Sequence, residues 1–201
     1  MSRSSDVIVS RCRVEGADST GIYVNGVRCV VRKNRIDAPL GAGIRLTSTS
    51  AVCLVERNRV RDVEGSAIQV RGADHVVRKN SATGSNEVGI DVLTGSHEIS
   101  GNRISGTLEF GIIARSTGCS LRSNRVNRAG RDGIVVTGDR NTLEANRVKR
   151  AAEAGFNVEG SDNVLRRNNG RASGSFDLLD PVGETVNTYE RNAFRSQQID
   201  A

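Results

Sequence analysis

The sequence predicts an all-β solenoid of about nine coils, each of about 22 residues and each giving three short strands to a tube. Three observations predict it. Asn recurs at a fixed interval, a Gly or Ala followed by an aliphatic or Phe recurs in phase with it, and the apolar residues between them alternate with period two.

The asparagine file is the first element. It runs Asn34, Asn58, Asn80, Asn102, Asn124, Asn146, Asn168 and Asn192, with Cys12 in the slot one period before Asn34. The spacing is 22 residues except for two steps of 24, at Asn34 to Asn58 and at Asn168 to Asn192. Asn tolerates left-handed backbone, and stacked side-chain amides bond from coil to coil, so this file reads as the structural ladder of the tube. The two longer units place their extra residues in one turn, near "TSTSAV" and "PVGETV", the kind of insertion a solenoid accepts.

The strands follow from parity. Val88, Ile90 and Val92 alternate in one segment, an aliphatic stands three residues before each anchor from Asn34 to Asn168 (Val31, Val55, Val77, Ile99, Leu121, Leu143, Leu165), and another stands two residues after most of them (Ile36, Val60, Ile104, Val126, Val148). No window carries a helical period over ten residues. Stacked at the strand spacing, nine such coils make a rod ~40 Å long. A leucine-rich repeat has a similar period but needs an apolar residue five before the Asn; Cys29, His75, His97, Asn141 and Asn163 stand there instead.

Composition agrees and bounds the function. With 3% aromatics and no Trp, the 36% of hydrophobic residues must fill many small burial sites instead of one ring-lined core. No stretch reaches the roughly 18 apolar residues of a membrane span, so no membrane insertion is expected. "MSRSSDVIVS" lacks the apolar segment of a signal peptide, so an exported protein would carry its leader in a longer parent. Residues 1–201 read as one domain, with 176–201 as last coil and cap. The early start of the first coil at Val7 and Val9 leaves it uncapped, which reads either as the C-terminal part of a longer solenoid or as a first coil covered by self-association.

Two files carry chemistry-bearing side chains. Five residues before the anchors stand Cys29, Cys53, His75, His97 and Cys119. Four consecutive members span ~14 Å at strand spacing, too far for one tetrahedral ion. Only a neighbouring pair such as Cys53 and His75 can share a metal, and the inward parity makes compact buried turn groups the better reading; no metal and no cofactor is assigned. A Cys29–Cys53 disulfide depends on whether their side chains converge. Just after the anchors runs an arginine row, Arg13, Arg35, Arg59, Arg103, Arg125 and Arg147, backed by Lys33, Arg57, Lys79 and Arg167. Of 29 basic residues, only Lys33, Lys79 and Lys149 are lysines, so the row favours the planar fork that grips carboxylate, sulfate or phosphate. Glu56, Glu98 and Glu144 are expected to neutralise part of it. The row reads either as a solvated face or as a dock for a linear polyanion; nucleic acid is not expected, because Tyr23 and Tyr189 are the only tyrosines available to stack on bases.

The pattern in "GIVVTGDRNTLEANRV" (133–148), which recurs in "GIIARSTGCSLRSNRV" (111–126), resembles the repeat of the single-stranded right-handed parallel β-helix in the pectate-lyase-like superfamily, including NosD-like proteins. The resemblance covers essentially the whole chain, and "FDLLDPVGETVNTYERNAF" resembles the last coil of secreted members. It implies an extracellular or cell-surface setting and an acidic polysaccharide as partner. It also implies that substrate lies on the outer face of the Gly-Ile strand, along Tyr23, Arg45, Gln69, Asp91, Ile113, Val135 and Asn157. The glycines beside this file are expected to point outward and leave a trough, flanked by Arg71, Glu87 and Glu109. Lyase or epimerase chemistry on a uronate needs a cation for the carboxylate and a base for the α proton, roles that fall to Arg45 and Asp91. No Asp-Pro-His motif of the epimerases and no calcium-holding triad of acids is visible. A non-catalytic structural or interaction solenoid is the alternative.

Overall fold

The computed structural model describes residues 4–182 and 186–199. Among them the regular structure is β throughout, and no helix is long and apolar enough to cross a membrane. Each coil passes in turn through three parallel sheets. The first sheet runs from Ile8–Ser10 to Thr188–Glu190 with nine strands, the second from Arg13–Glu15 to Asn169–Arg171 with eight, and the third from Ile22–Val24 to Gln197–Ile199 with nine. A short pair, Ser4–Ser5 with Gly26–Val27, lies outside them.

Register is the sequence period made visible. Ile99, Leu121 and Leu143 are partners in the first sheet, Ile104, Val126 and Val148 in the second, and Ile90, Ile112 and Ile134 in the third. All nine are essentially buried and belong to one continuous apolar core. Each of these coils thus removes three aliphatic side chains from water, at roughly 1.5–3 kcal/mol each before the entropy of ordering is counted.

The asparagines behave as a ladder. Asn58 Oδ1 accepts from both the backbone N–H and the side-chain amide of Asn34, each 3.0 Å away, while Asn58 Nδ2 donates to the Val31 carbonyl at 2.9 Å. The same triple contact repeats down to Asn192. The left-handed residue, however, is the one before the Asn: Lys33, Arg57, Lys79, Ser123, Ala145 and Arg167 have φ of 53–56°, and Gly101 has 63°. Asn supplies the hydrogen bonds that hold this corner; it does not itself take the strained backbone.

The glycine file also departs from expectation. It lies at the corner where the second sheet turns into the third, and the bend resets the alternation. A side chain on Gly21 would point into the core, 2.6 Å from Ile36 Cγ2 and 2.8 Å from the Gly43 carbonyl; Gly111 faces Val126 and the Gly133 carbonyl in the same way. These glycines permit close packing of corner on corner, so they open no trough.

The extra residues sit where the sequence puts them in the first long unit. Ile22 pairs with Ile44 at 22 residues and Ile44 with Ile68 at 24, and the surplus forms the turn in which Ser50 Oγ donates to the Val24 carbonyl at 2.9 Å. The second insertion, 181–186, falls partly outside the described residues. At the far end Phe194 packs on Phe156, ring centroids 5.4 Å apart.

Candidate functional site on the outer face of the third sheet

The third sheet brings the predicted residues onto successive rungs. Arg45 pairs with Tyr23 on one side and Gln69 on the other, and Gln69 pairs with Asp91. At strand spacing Arg45 and Asp91 are therefore ~10 Å apart along the rod. Tyr23 is 60% exposed, Arg45 and Gln69 are half-buried, and Asp91 is only 7% exposed.

Asp91 is the chemically perturbed member. Burial pushes its carboxyl up from the ordinary carboxylate range, opposed by Arg115, with Glu87 adding to the rise and Arg71 opposing it. Arg115 Nη1 donates directly to Asp91 Oδ1. Arg45 is the complementary feature, because its buried Nε has no hydrogen-bond partner among the described residues. The half-buried guanidinium of Arg45 and the buried carboxyl of Asp91 thus put a cation and a proton acceptor two rungs apart on one sheet.

The flanking residues divide. Arg71 and Glu87 are exposed and within electrostatic reach of Asp91, and Ser66 Oγ donates to Glu87 Oε2 at 2.9 Å. Glu109 is exposed and sits one rung after Glu87, its N–H donating to the Glu87 carbonyl at 3.2 Å; a small apolar cluster of Val88, Ile113 and Val135, with Phe110 packed on it, spans the same coils. That cluster corrects the expected extent of the site: Ile113, Val135 and Asn157 are covered by the corner loops and do not face solvent. Arg131 stacks over Phe110 at 4.8 Å, and Asn157 Nδ2 donates to Asp132 and Glu159 at 3.2 and 3.1 Å. The exposed part of this face is thus limited to the rungs of Tyr23, Arg45 and Gln69, with Asp91 buried at its end.

Sequence reasoning missed Arg115. It stands two periods after Arg71 in the same column, and that spacing was the available signal.

The Cys/His file is a second ladder. His75 Nδ1 accepts from the Cys53 N–H and His97 Nδ1 from the His75 N–H, both at 3.0 Å; Nε2 of each ring donates to a carbonyl, of Arg71 at 2.9 Å and Thr94 at 2.6 Å. Asn141 plays the same part, with Oδ1 accepting from the Cys119 N–H at 2.7 Å and Nδ2 donating to the Gly138 carbonyl at 2.8 Å. Both ring nitrogens are committed to the backbone, and among the described residues no three of His, Cys, Asp or Glu gather to hold a metal. The four cysteines are free thiols, and burial raises the thiol pKa of Cys53 and Cys119. A surface hollow of about 480 Å³ adjoins the two histidines, away from the trough.

The arginine row forms on the second sheet, where Arg13, Arg35 and Arg59 are register neighbours and Arg103, Arg125 and Arg147 are another run, separated by Ser81. The acids expected to neutralise it do not. Glu56 pairs with Arg78 at 3.0 Å and Glu144 with Arg122 at 3.2 Å, both on the first sheet, and Glu98 accepts from Ser100. The turn at the Asn corner separates the two faces.

Compared with known proteins, residues 42–177 match the family described as the right handed beta helix region. None of the curated proteins matches in sequence. Among solved structures, a mutant of the periplasmic alginate epimerase AlgG is similar with a TM-score of 0.66 at 16% identity, covering 89% of this chain and 48% of that one. A glycoside hydrolase is similar at 0.63 and 12%, covering 90% and 39%. The catalytic unit of a thermostable GH87 alpha-1,3-glucanase from Streptomyces thermodiastaticus follows at 0.50 and 16%, covering 90% and 52%. At these identities the likeness is one of fold, and the chain spans about half or less of each of these structures.

Proposed function

The chain belongs to the right-handed β-helix family, and from that premise we propose that it binds and processes an acidic polysaccharide in the trough of Tyr23, Arg45, Gln69 and Asp91. The observation that carries this reading is the pairing of Arg45, whose buried Nε is unpartnered, with Asp91, whose buried carboxyl holds its proton more tightly than usual, two rungs apart on one face. The names of the similar structures, an alginate epimerase and two glycan-cleaving enzymes, support a polysaccharide as the partner.

In this reading Arg45 neutralises the uronate carboxylate, with Arg71 beside it, and so acidifies the C–H bond α to that carboxylate. Asp91 takes the proton, its affinity for which is raised by burial. The electron pair left on carbon then either expels the β-linked oxygen, giving an unsaturated sugar end and a cleaved chain, or recaptures a proton on the opposite face and inverts the centre. Tyr23 and Gln69 orient the chain and donate to its oxygens.

Incubation with alginate, polygalacturonate and a neutral glucan tests it, reading ultraviolet absorbance of unsaturated ends and exchange of the α proton with deuterated water. Turnover of a uronate that falls about 10²–10³-fold in Arg45→Ala and is abolished in Asp91→Asn is the expected outcome. No turnover and no binding of either uronate would favour a non-catalytic scaffold, a reading to which the Asp91–Arg115 ion pair lends itself as a purely structural contact.

A further inference from the structure

The second sheet carries a charge imbalance that the trough does not explain. In its first coils the arginine row is neutralised within the same strand, Arg13 by Glu15 at 3.0 Å and Arg35 by Asp37 at 2.5 Å. Two residues after Arg103, Arg125 and Arg147 stand Ser105, Asn127 and Lys149, so the acid is gone and one further cation is added. All three arginines are exposed, and no ion pair reaches them among the described residues. Three guanidinium groups at ~4.8 Å steps repel one another, and no carboxylate among the described residues pairs with them.

The same face has a recess. A hollow of about 400 Å³ is lined by Lys79, Ser81, Gly101, Arg103, Ser123 and Arg125, with no acid on its wall. It exists because two files thin out together. Ser81 interrupts the arginine row, and Gly101 and Ser123 occupy the left-handed corner position that Lys33, Arg57 and Lys79 fill on earlier rungs. Long basic side chains therefore surround a floor of small ones.

We propose that this strip is a second ligand site, on which one chain of a carboxylated polysaccharide lies along the rod axis, its carboxylates gripped by Arg103, Arg125 and Arg147 and its first anionic residue seated in the hollow beside Lys79. Arginine forks match carboxylates two-pronged, and a ligand running across parallel strands meets an equivalent fork at every rung. The strands of the second sheet contain no aromatic residue, so the face offers no platform for nucleic-acid bases. The inference is independent of the trough: a chain held here touches neither Arg45 nor Asp91, which are on another sheet. The site serves to hold a polymer, and it supplies no acid or base for chemistry.

The experiment is fluorescence anisotropy of a labelled oligogalacturonate, titrated with the whole chain at low and at raised salt. Arg103→Gln/Arg125→Gln/Arg147→Gln is expected to weaken binding by about tenfold or more and to flatten the salt dependence. Arg13→Gln/Arg35→Gln, which removes arginines already paired, is expected to change it by less than about twofold. Arg45→Ala separates the two sites. If Arg45→Ala leaves binding in place while the triple variant loses it, the second site stands whatever becomes of the trough. Wild-type affinity in the triple variant, equal losses in the double variant, or tighter binding of an oligonucleotide of matched charge through the same arginines would each overturn it.

Discussion

His97 accepts the backbone N–H of His75 at Nδ1, 3.0 Å away, while the two rings stack with centroids 5.0 Å apart and planes 12° from parallel. The pair does in imidazole what Asn141 does in amide: it caps a backbone N–H of the preceding coil and returns a proton to a nearby carbonyl. This works only for the neutral ring with its hydrogen on Nε2.

Acid should therefore loosen the rod. Burial, ahead of every other influence, lowers His75 to about 4 and lowers His97 as well. The unfolded chain binds the proton near pH 6.5, before the folded one does. Stability contributed by His75 is complete above that value and is lost as pH falls toward 4, on the order of 2–3 kcal/mol. Thermal unfolding between pH 7.5 and 4 should show a falling midpoint, and His75→Asn/His97→Asn should flatten the slope while keeping the ladder's bonds.

Removing one anchor from the middle of the asparagine file orphans several groups at once. Asn102→Ala deprives the Asn80 N–H and side-chain amide of their acceptor and the Val77 carbonyl of its donor. A loss of about 3–5 kcal/mol is expected by denaturant titration. Asn192→Ala, at a half-buried end position, should cost clearly less.

The glycine corner obeys a volume trade. The file Gly21, Gly43, Gly89, Gly111 and Gly133 faces Ile36, Val60, Ile104, Val126 and Val148 in turn. Where the file has Ala67, the equivalent facing residue shrinks to Ala82; Gly155 stands outside the trade, facing the Asp177 carbonyl and Ser173. Gly111→Ala alone should destabilise by about 1–3 kcal/mol through overpacking against Val126 and the Gly133 carbonyl. Gly111→Ala/Val126→Ala should recover part of that, so a double-mutant cycle would give a favourable coupling of about 1 kcal/mol. Strict additivity would show that the trade is accidental.

Arg115 holds the charge of Asp91, so its loss should depend on pH. With Arg115→Met the carboxyl, already raised by burial, rises further, and the ionised form is left without its direct partner. The variant should be destabilised by roughly 3 kcal/mol at neutral pH and by progressively less as acid protonates Asp91. A deficit that is independent of pH would mean that lost packing dominates.

The lengthwise order of this fold was legible from the residues because burial imposes it directly. Ile99, Leu121 and Leu143 must face inward on every rung, so their spacing in sequence is their spacing in register. What was not legible lies at the corners. Gly111 reads as outward if alternation is carried through the bend, and only the bend itself turns it inward. The left-handed residue before each Asn is Lys, Arg, Ser, Ala or Gly, types with nothing in common, so no composition marks it. The candidate site suffers for the same reason: Asp91 reads as solvent-facing by parity, yet it is buried and ion-paired with Arg115.

The surplus turn at 47–50 leaves the partners on both sides of it in register. Length on any face of this molecule is accordingly quantised, one coil at a time, like graduations on a ruler. Excising one complete repeat, such as 103–124, would bring the flanking rungs together in phase and shorten both the arginine strip and the rod by a single graduation.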